Sequence, residues 1–133
     1  MQKRSYKKKR FDRSIKNRCA SGFQAAVEEK FKTIDGTYIE VPNDYRASQY
    51  DHTADDYIKK KLSDRMYHLA DGTLVQRDWY SSFLLYCYDC RTKNIDRDRC
   101  ISEFEKCYSK EEALIKRIKI NRIKVLNSGI KIV

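Results

Sequence analysis

A chain of 133 residues and 15.9 kDa has room for one domain with a modest core. Charged residues make up 36% of it and mean hydropathy is −0.82, yet aromatics reach 12% with ten tyrosines, a balance that excludes both disorder throughout and a membrane-spanning protein. The formal charge of +10 gathers at the ends: residues 1–18 carry +8 and residues 110–133 carry +5, leaving residues 19–109 at −3.

Such polarity suits phosphate backbones, whose binding is largely counterion release from Lys and Arg. No window reaches the roughly 20 apolar residues of a transmembrane helix, and no apolar run follows the basic start, so no membrane contact and a cytoplasmic location are expected. Five cysteines (Cys19, Cys87, Cys90, Cys100 and Cys107) form an odd set that fits free thiols better than a disulfide framework.

The first segment, MQKRSYKKKRFDR, interleaves Tyr6 and Phe11 with basic residues, as in an arm that contacts phosphates and stacks on bases. We assign residues 1–18 to this arm, with Lys3, Arg4, Lys7, Lys8, Lys9, Arg10, Arg13, Lys16 and Arg18 as phosphate contacts. From Ala20 to Asp35, Phe23, Val27, Phe31 and Ile34 recur at spacings of four, four and three, which predicts an amphipathic helix stopped by Gly36. The next residues, TYIEV at 37–41, are β-branched and aromatic and predict a strand closed by Pro42.

Residues 43–73 are polar, with a turn at Ala70-Asp71-Gly72 and at most a short helix over 58–65. His52 and His68, isolated in polar surroundings, are expected at the surface. VQRDWYSSFLLYCY, residues 75–88, reads as a second helix, with Trp79, Phe83 and Tyr86 on one face and Asp78, Ser81 or Ser82, and Leu85 on another. Asp96 can cap a third, on which Ile101, Phe104 and Tyr108 share a face. A basic helix follows, EEALIKRIKINRIKVL, with Leu114, Ile118 and Ile123 among Lys116, Arg117, Lys119, Arg122 and Lys124, ended by Asn127-Ser128-Gly129. The expected class is α+β, mostly helical, with one short strand and three to four helices.

Asp78 is the residue that asks for an explanation, since it stands at the mouth of an apolar helix between Arg77 and Trp79. A carboxylate in a first helical turn gains roughly 0.3–1 kcal/mol from the helix dipole. Alternatively it is a hard oxygen donor for Mg²⁺, although two-metal phosphodiester chemistry needs several such donors. The small Ser81 and Ser82 would let this face lie against a sheet and aim Asp78 at its edge.

Helix, glycine, strand, excursion, and then Arg-Asp heading a helix with two small residues three and four places on: this order resembles the C-terminal part of the TnpB-type (OrfB family) transposases. These are RNA-guided DNA endonucleases with a split RuvC-like nuclease domain of the RNase H fold. Laid on QRDWYSSFLL, the family motif D-R-D-x-N-A-A-x-N-I places its second aspartate on Asp78, its arginine on Arg77 and its alanines on Ser81 and Ser82. RSIKNRCASGFQAAVEEKFKTIDGTYIEV resembles the preceding helix and strand, so the likeness spans roughly residues 10–90.

The resemblance implies that Asp78 is the third metal-binding and catalytic acid of a RuvC-like centre using Mg²⁺. The other two acids belong to segments preceding Met1, so the chain is expected to be a C-terminal part, inactive alone, with Mg²⁺ held only when another chain supplies them. DNA, a guide RNA and an upstream transposase fragment are the implied partners, and Arg77 joins the nucleic-acid contacts. Gln76, Tyr80 and Leu84 depart from the motif. The family's four-cysteine zinc ribbon falls at residues 42–75, which contain no cysteine, so no zinc is expected there. This divides the chain into the arm, a partial RuvC-like domain over 19–90, and a basic helical extension over 91–133.

Two other patterns carry less. IDRDRC at 95–100 also resembles the motif but reads as a helix cap, and Cys87, Cys90, Cys100 and Cys107 have the wrong spacing for a zinc knuckle and read as buried thiols. The competing function is a non-enzymatic DNA- or RNA-binding module, in which Asp78 is only structural.

Overall fold

The computed structural model describes residues 21–42 and 44–132. The basic arm and its nine Lys and Arg residues, and Cys19, lie outside them. Two compact units divide the chain, one up to Glu40 and the other from Val41 onward.

In the first unit a helix, α1 (Ser21–Thr33), forms where the four-residue spacing of Phe23, Val27 and Phe31 predicts it. Asp35 takes the left-handed conformation after it, with φ of 51°, and the Gly36 N–H closes on the Phe31 carbonyl at 2.8 Å. Gly36 is there for space, because a Cβ would come within 2.6 Å of the Phe31 ring. The strand expected over 37–41 does not form: these residues have no regular structure. A strand exists only through hydrogen bonds to a neighbour, and β-propensity cannot supply one.

The second unit holds three antiparallel hairpins and two helices, so the single strand expected from the sequence is replaced by six short ones. The first hairpin pairs β1 (Tyr50–Asp51) with β2 (Asp56–Tyr57), and the second pairs β3 (Met66–His68) with β4 (Leu74–Gln76). α2 (Arg77–Tyr86) follows directly. The third hairpin, β5 (Tyr88–Asp89) with β6 (Asn94–Ile95), leads into α3 (Arg97–Ile120). Each hairpin turn has one left-handed residue, Asp55 (φ 55°), Gly72 (φ 90°) and Lys93 (φ 56°), which turns the chain back toward its partner strand. The short helix considered for 58–65 is absent; Lys61 to Asp64 make only a turn.

α2 is shorter than the predicted 75–88 because residues 74–76 are held in the second hairpin, with Leu74 opposite His68. It buries Tyr80, Phe83 and Leu84, so its inner face is rotated by a residue from the expected Trp79–Phe83–Tyr86 line, and Tyr86 is exposed. The third and fourth predicted helices are one continuous helix of 24 residues, α3, capped by Asp96, which accepts the Arg99 N–H at 3.0 Å. It stops at Asn121, not at Asn127-Ser128-Gly129. Its buried face is Cys100, Phe104 and Glu111; Ile101 and Leu114 point to solvent. Charged residues alternate closely enough here that apolar spacing alone did not fix which side turns inward.

α2, α3 and the hairpins meet in a core whose centre is Val75, Tyr80, Leu84, Cys87 and Cys100, all fully buried. Aromatic rings fill it: Trp79 stacks on Phe83 at 5.8 Å and 9°, and Phe104 on Tyr108 at 5.3 Å and 14°. Such pairs add about 0.5–1.5 kcal/mol each beyond their burial. The chain end is tied in as well, because Gln76 Nε2 donates to the Ser128 carbonyl at 3.3 Å. Gly129, at φ 77°, sits so close to β3 that a Cβ would come within 2.6 Å of Arg65 Cβ.

His52 is buried at 4% exposure, contrary to the surface position expected for it. The Tyr80 hydroxyl accepts its backbone N–H at 3.1 Å and is hydrogen-bonded to its Nδ1 at 2.7 Å. Burial holds the His52 pKa below its ordinary value, against the nearby Asp51 and Asp71. Removing the hydroxyl leaves two buried groups unpaired, so Tyr80→Phe is expected to lower stability by about 1–3 kcal/mol in urea denaturation; an unchanged midpoint would show that the pair contributes nothing.

Candidate functional site

Asp78 lies in the first turn of α2, and the sequence around it explains how it is held. The N-cap is Gln76, whose Oε1 accepts the Trp79 N–H at 2.7 Å, so Asp78 is not needed as a cap. Its carboxylate touches the Arg77 Nε at 3.3 Å and the Gln76 Nε2 at 3.5 Å, and its side chain is 65% exposed. Arg77 is fixed from its other side, with Nη1 donating to the Leu62 carbonyl at 2.7 Å and its backbone N–H donating to Arg65 at 2.9 Å. The guanidinium is therefore committed to this chain and orients Asp78.

Below Asp78, Ser82 donates from Oγ to the Asp78 carbonyl at 2.9 Å, and Leu85 is 45% exposed one turn further on. No strand among the described residues covers this face of α2. Neither do the described residues include a group of three or more His, Cys, Asp or Glu able to hold a metal ion. A single carboxylate fits a Mg²⁺ ligand in kind but cannot make a site by itself.

Lys116, Arg117 and Lys119 on the last turns of α3, and Arg122 and Lys124 after it, are all exposed. None of the five forms an ion pair among the described residues. Helix geometry thus gathers part of the predicted basic surface on one short stretch of chain, whereas Arg77 belongs to the Asp78 cluster.

The cysteines are free thiols among the described residues: Cys87 and Cys100 are buried, Cys107 is half-buried and Cys90 is exposed. Cys90 thus departs from the buried position expected for it, because it sits on the turn of the third hairpin and not inside a helix. Hydrogen bonding to Cys87, together with burial, raises the Cys100 pKa and keeps it a neutral thiol.

Two functional-looking acids were missed from sequence. Asp51 is 1% exposed; its Oδ1 accepts the Thr53 N–H at 2.9 Å and hydroxyl at 2.6 Å, and its Oδ2 accepts the Ala70 N–H at 2.9 Å. It joins the turns of the first two hairpins. Burial by itself would raise its pKa, but the bonds from Thr53, Ala70 and Ala54 outweigh that and hold it below the ordinary carboxylate range. Glu111 is 5% exposed with Oε1 unpartnered. Burial pushes its carboxyl up to about 7, against the Gln76 backbone N–H and with help from Glu112. One signal was available for it: Phe104, Tyr108, Glu111 and Ile115 follow helical spacing, so an acid occupies a position on an inward stripe.

Comparison with protein-family models, with curated proteins and with solved structures finds no match. The described residues form a mixed structure of three helices and antiparallel strand pairs. No described helix is long and apolar enough to cross a membrane.

Proposed function

We propose that the chain is the C-terminal part of a TnpB-type, RuvC-like nuclease of the RNase H fold, that it binds nucleic acid, and that it is catalytically incomplete alone. The observation that carries this reading is the open face of α2. Asp78 stands there exposed and oriented by Arg77, above Ser82 and the exposed Leu85, with a different residue serving as the helix cap. An acid kept for capping would be bonded to the helix N-terminus; this one is turned outward beside a small-residue surface suited to a sheet edge.

When bound, Mg²⁺ activates water and offsets charge on the phosphodiester. Of the oxygen donors it needs, this chain offers Asp78, held in place by Arg77 and Gln76. Co-expression with a segment carrying the two further acids is expected to restore DNA cleavage, and Asp78→Ala to reduce it on the order of 100-fold or more. Cleavage indifferent to that substitution overturns the catalytic role.

A second reading, a non-enzymatic binding module, is favoured by the five exposed basic residues from Lys116 to Lys124, which form no ion pair among the described residues. If all five contact duplex phosphates, they contribute about −4.5 to the slope of log K against log salt. Replacing them with alanine should flatten the slope by that amount, with Mg²⁺ and Asp78→Asn without effect.

A further inference from the structure

α3 ends in a chain reversal whose largest side chains face water. The Ile123 N–H donates to the Ile118 carbonyl at 3.0 Å and the Arg122 N–H to the Lys119 carbonyl at 3.1 Å, with Arg122 left-handed at φ 51°. These are the paired bonds of a Schellman turn, at a position that ordinarily takes glycine. The far side is fixed as well: Ser128 Oγ donates to the Val125 carbonyl at 2.9 Å and accepts the Ile130 N–H at 3.1 Å, while Gln76 holds the Ser128 carbonyl. Residues 121–128 thus form a loop anchored at both ends. Yet Ile120 is 77% and Leu126 76% exposed, and Ile123 and Val125 also reach solvent. Apolar side chains gathered in this way and rimmed by polar residues mark an interaction surface.

The groups around them specify the partner. Ile120 shares a helix face with Lys116 and Arg117, four and three residues before it, on the side opposite the buried Phe104 and Glu111. An open hollow of about 650 Å³ within the loop is lined by Leu126, Ile130 and Ile132 together with Arg122, Lys124 and Lys131. No acid lines it, and none follows Glu112 in the sequence. Two acids come near this end of the chain. Glu112 stands one turn before Lys116 and offsets it, and Asp78, which Gln76 links to the anchored end of the loop, is paired with Arg77. The other cations, Arg117, Lys119, Arg122, Lys124 and Lys131, form no ion pair among the described residues. Nucleic-acid phosphates would meet these cations but leave the aliphatic side chains in water. A bilayer with acidic headgroups takes both, the cations at the headgroups and the aliphatic groups at the acyl boundary.

We propose that this end of the chain, residues 117–132, docks on the surface of a bilayer containing anionic lipids. Ile120 and Leu126 enter the acyl boundary, and Arg117, Arg122, Lys124 and Lys131 contact the headgroups. The chain lies on the membrane, so no spanning helix is required. The inference goes beyond the nucleic-acid reading, which gives the aliphatic side chains no partner.

The test is flotation of the full chain with phosphatidylcholine vesicles, with and without an equal part of phosphatidylserine. Binding is expected to the mixed vesicles only. Ile120→Ser with Leu126→Ser, both exposed, should weaken it roughly tenfold or more while leaving the urea midpoint unchanged. Lys124→Ala with Lys131→Ala should weaken it about 25-fold, at roughly fivefold for each charge. A mixed-sequence oligonucleotide should bind the Ile120→Ser, Leu126→Ser variant as it binds wild type. No binding to mixed vesicles, or equal binding to neutral ones, overturns the proposal. So does vesicle binding indifferent to the serine pair, since the net charge of +10 would then account for it. If the serine pair weakens the oligonucleotide as much as the vesicles, the aliphatic side chains serve nucleic acid and the bilayer contact is refuted.

Discussion

Asp51→Ala is expected to destabilise the protein by about 3–4 kcal/mol at pH 7, read as a lower urea midpoint with an unchanged slope. The substitution strips the acceptor from the Thr53 N–H and hydroxyl and from the Ala70 N–H, leaving the first two hairpins without their mutual tie. Strands of two or three residues cannot stand alone, so the loss should propagate to the packing of Tyr67 and Leu69. Asp51→Asn keeps one acceptor oxygen but turns an amide donor toward existing donors, and about half of the loss is expected. The pH dependence has a definite sign. With its folded pKa depressed, Asp51 contributes stability that is present above the ordinary value of 3.8 and is lost as pH falls through the lower folded value. The difference between wild type and Asp51→Ala should therefore shrink below about pH 4. A variant as stable as wild type at pH 7 would mean that the two hairpins are held by something else.

Glu111→Leu should do the opposite and stabilise the chain at pH 7.5. The folded carboxyl titrates at about 7 against an ordinary 4.5. Its contribution is fully present below 4.5, where both states are protonated, and is lost as pH rises from there through about 7. At the standard conversion this gap is worth roughly 3 kcal/mol, and replacing the acid with a side chain of similar size should recover about 2–3 kcal/mol of it above pH 7. Near pH 4.5 the variant and wild type should differ far less. Thermal or urea unfolding across pH 4–8 checks both limbs as differences from wild type, which cancel the opposing titration of buried His52: the advantage of Glu111→Leu should shrink as pH falls from 7 toward 5, and the deficit of Asp51→Ala should shrink below about 4. A Glu111→Leu protein that is no more stable at pH 7.5 than at 4.5, relative to wild type, would place the carboxyl in water.

Glu111 occupies a core position that would be steadier as leucine, and its Oε1 is buried without a partner. Tyr108 illustrates the contrast on the same helix: its hydroxyl donates to the Leu74 carbonyl at 2.9 Å, and its ring packs on Phe104, so every part of it is used within the chain.

Local chemistry alone settled the helices that start and run by short-range rules. Four-residue spacing placed α1, and the Asp96 side chain reaching the Arg99 N–H placed the start of α3. Arg-Asp before an apolar run put Asp78 in the first turn of α2. Only the tertiary structure decided the hairpins, because Tyr50 pairs with Tyr57 and Tyr67 with Val75 through turns whose left-handed residues, Asp55 and Gly72, do not advertise a strand on either side. It also decided which polar residues turn inward. His52 is buried because Tyr80, 28 positions away, satisfies it, and Asp51 because Ala70, 19 positions away, does. Helical periodicity is written into neighbouring residues, whereas burial of a charge depends on a partner that only folding brings within 3 Å.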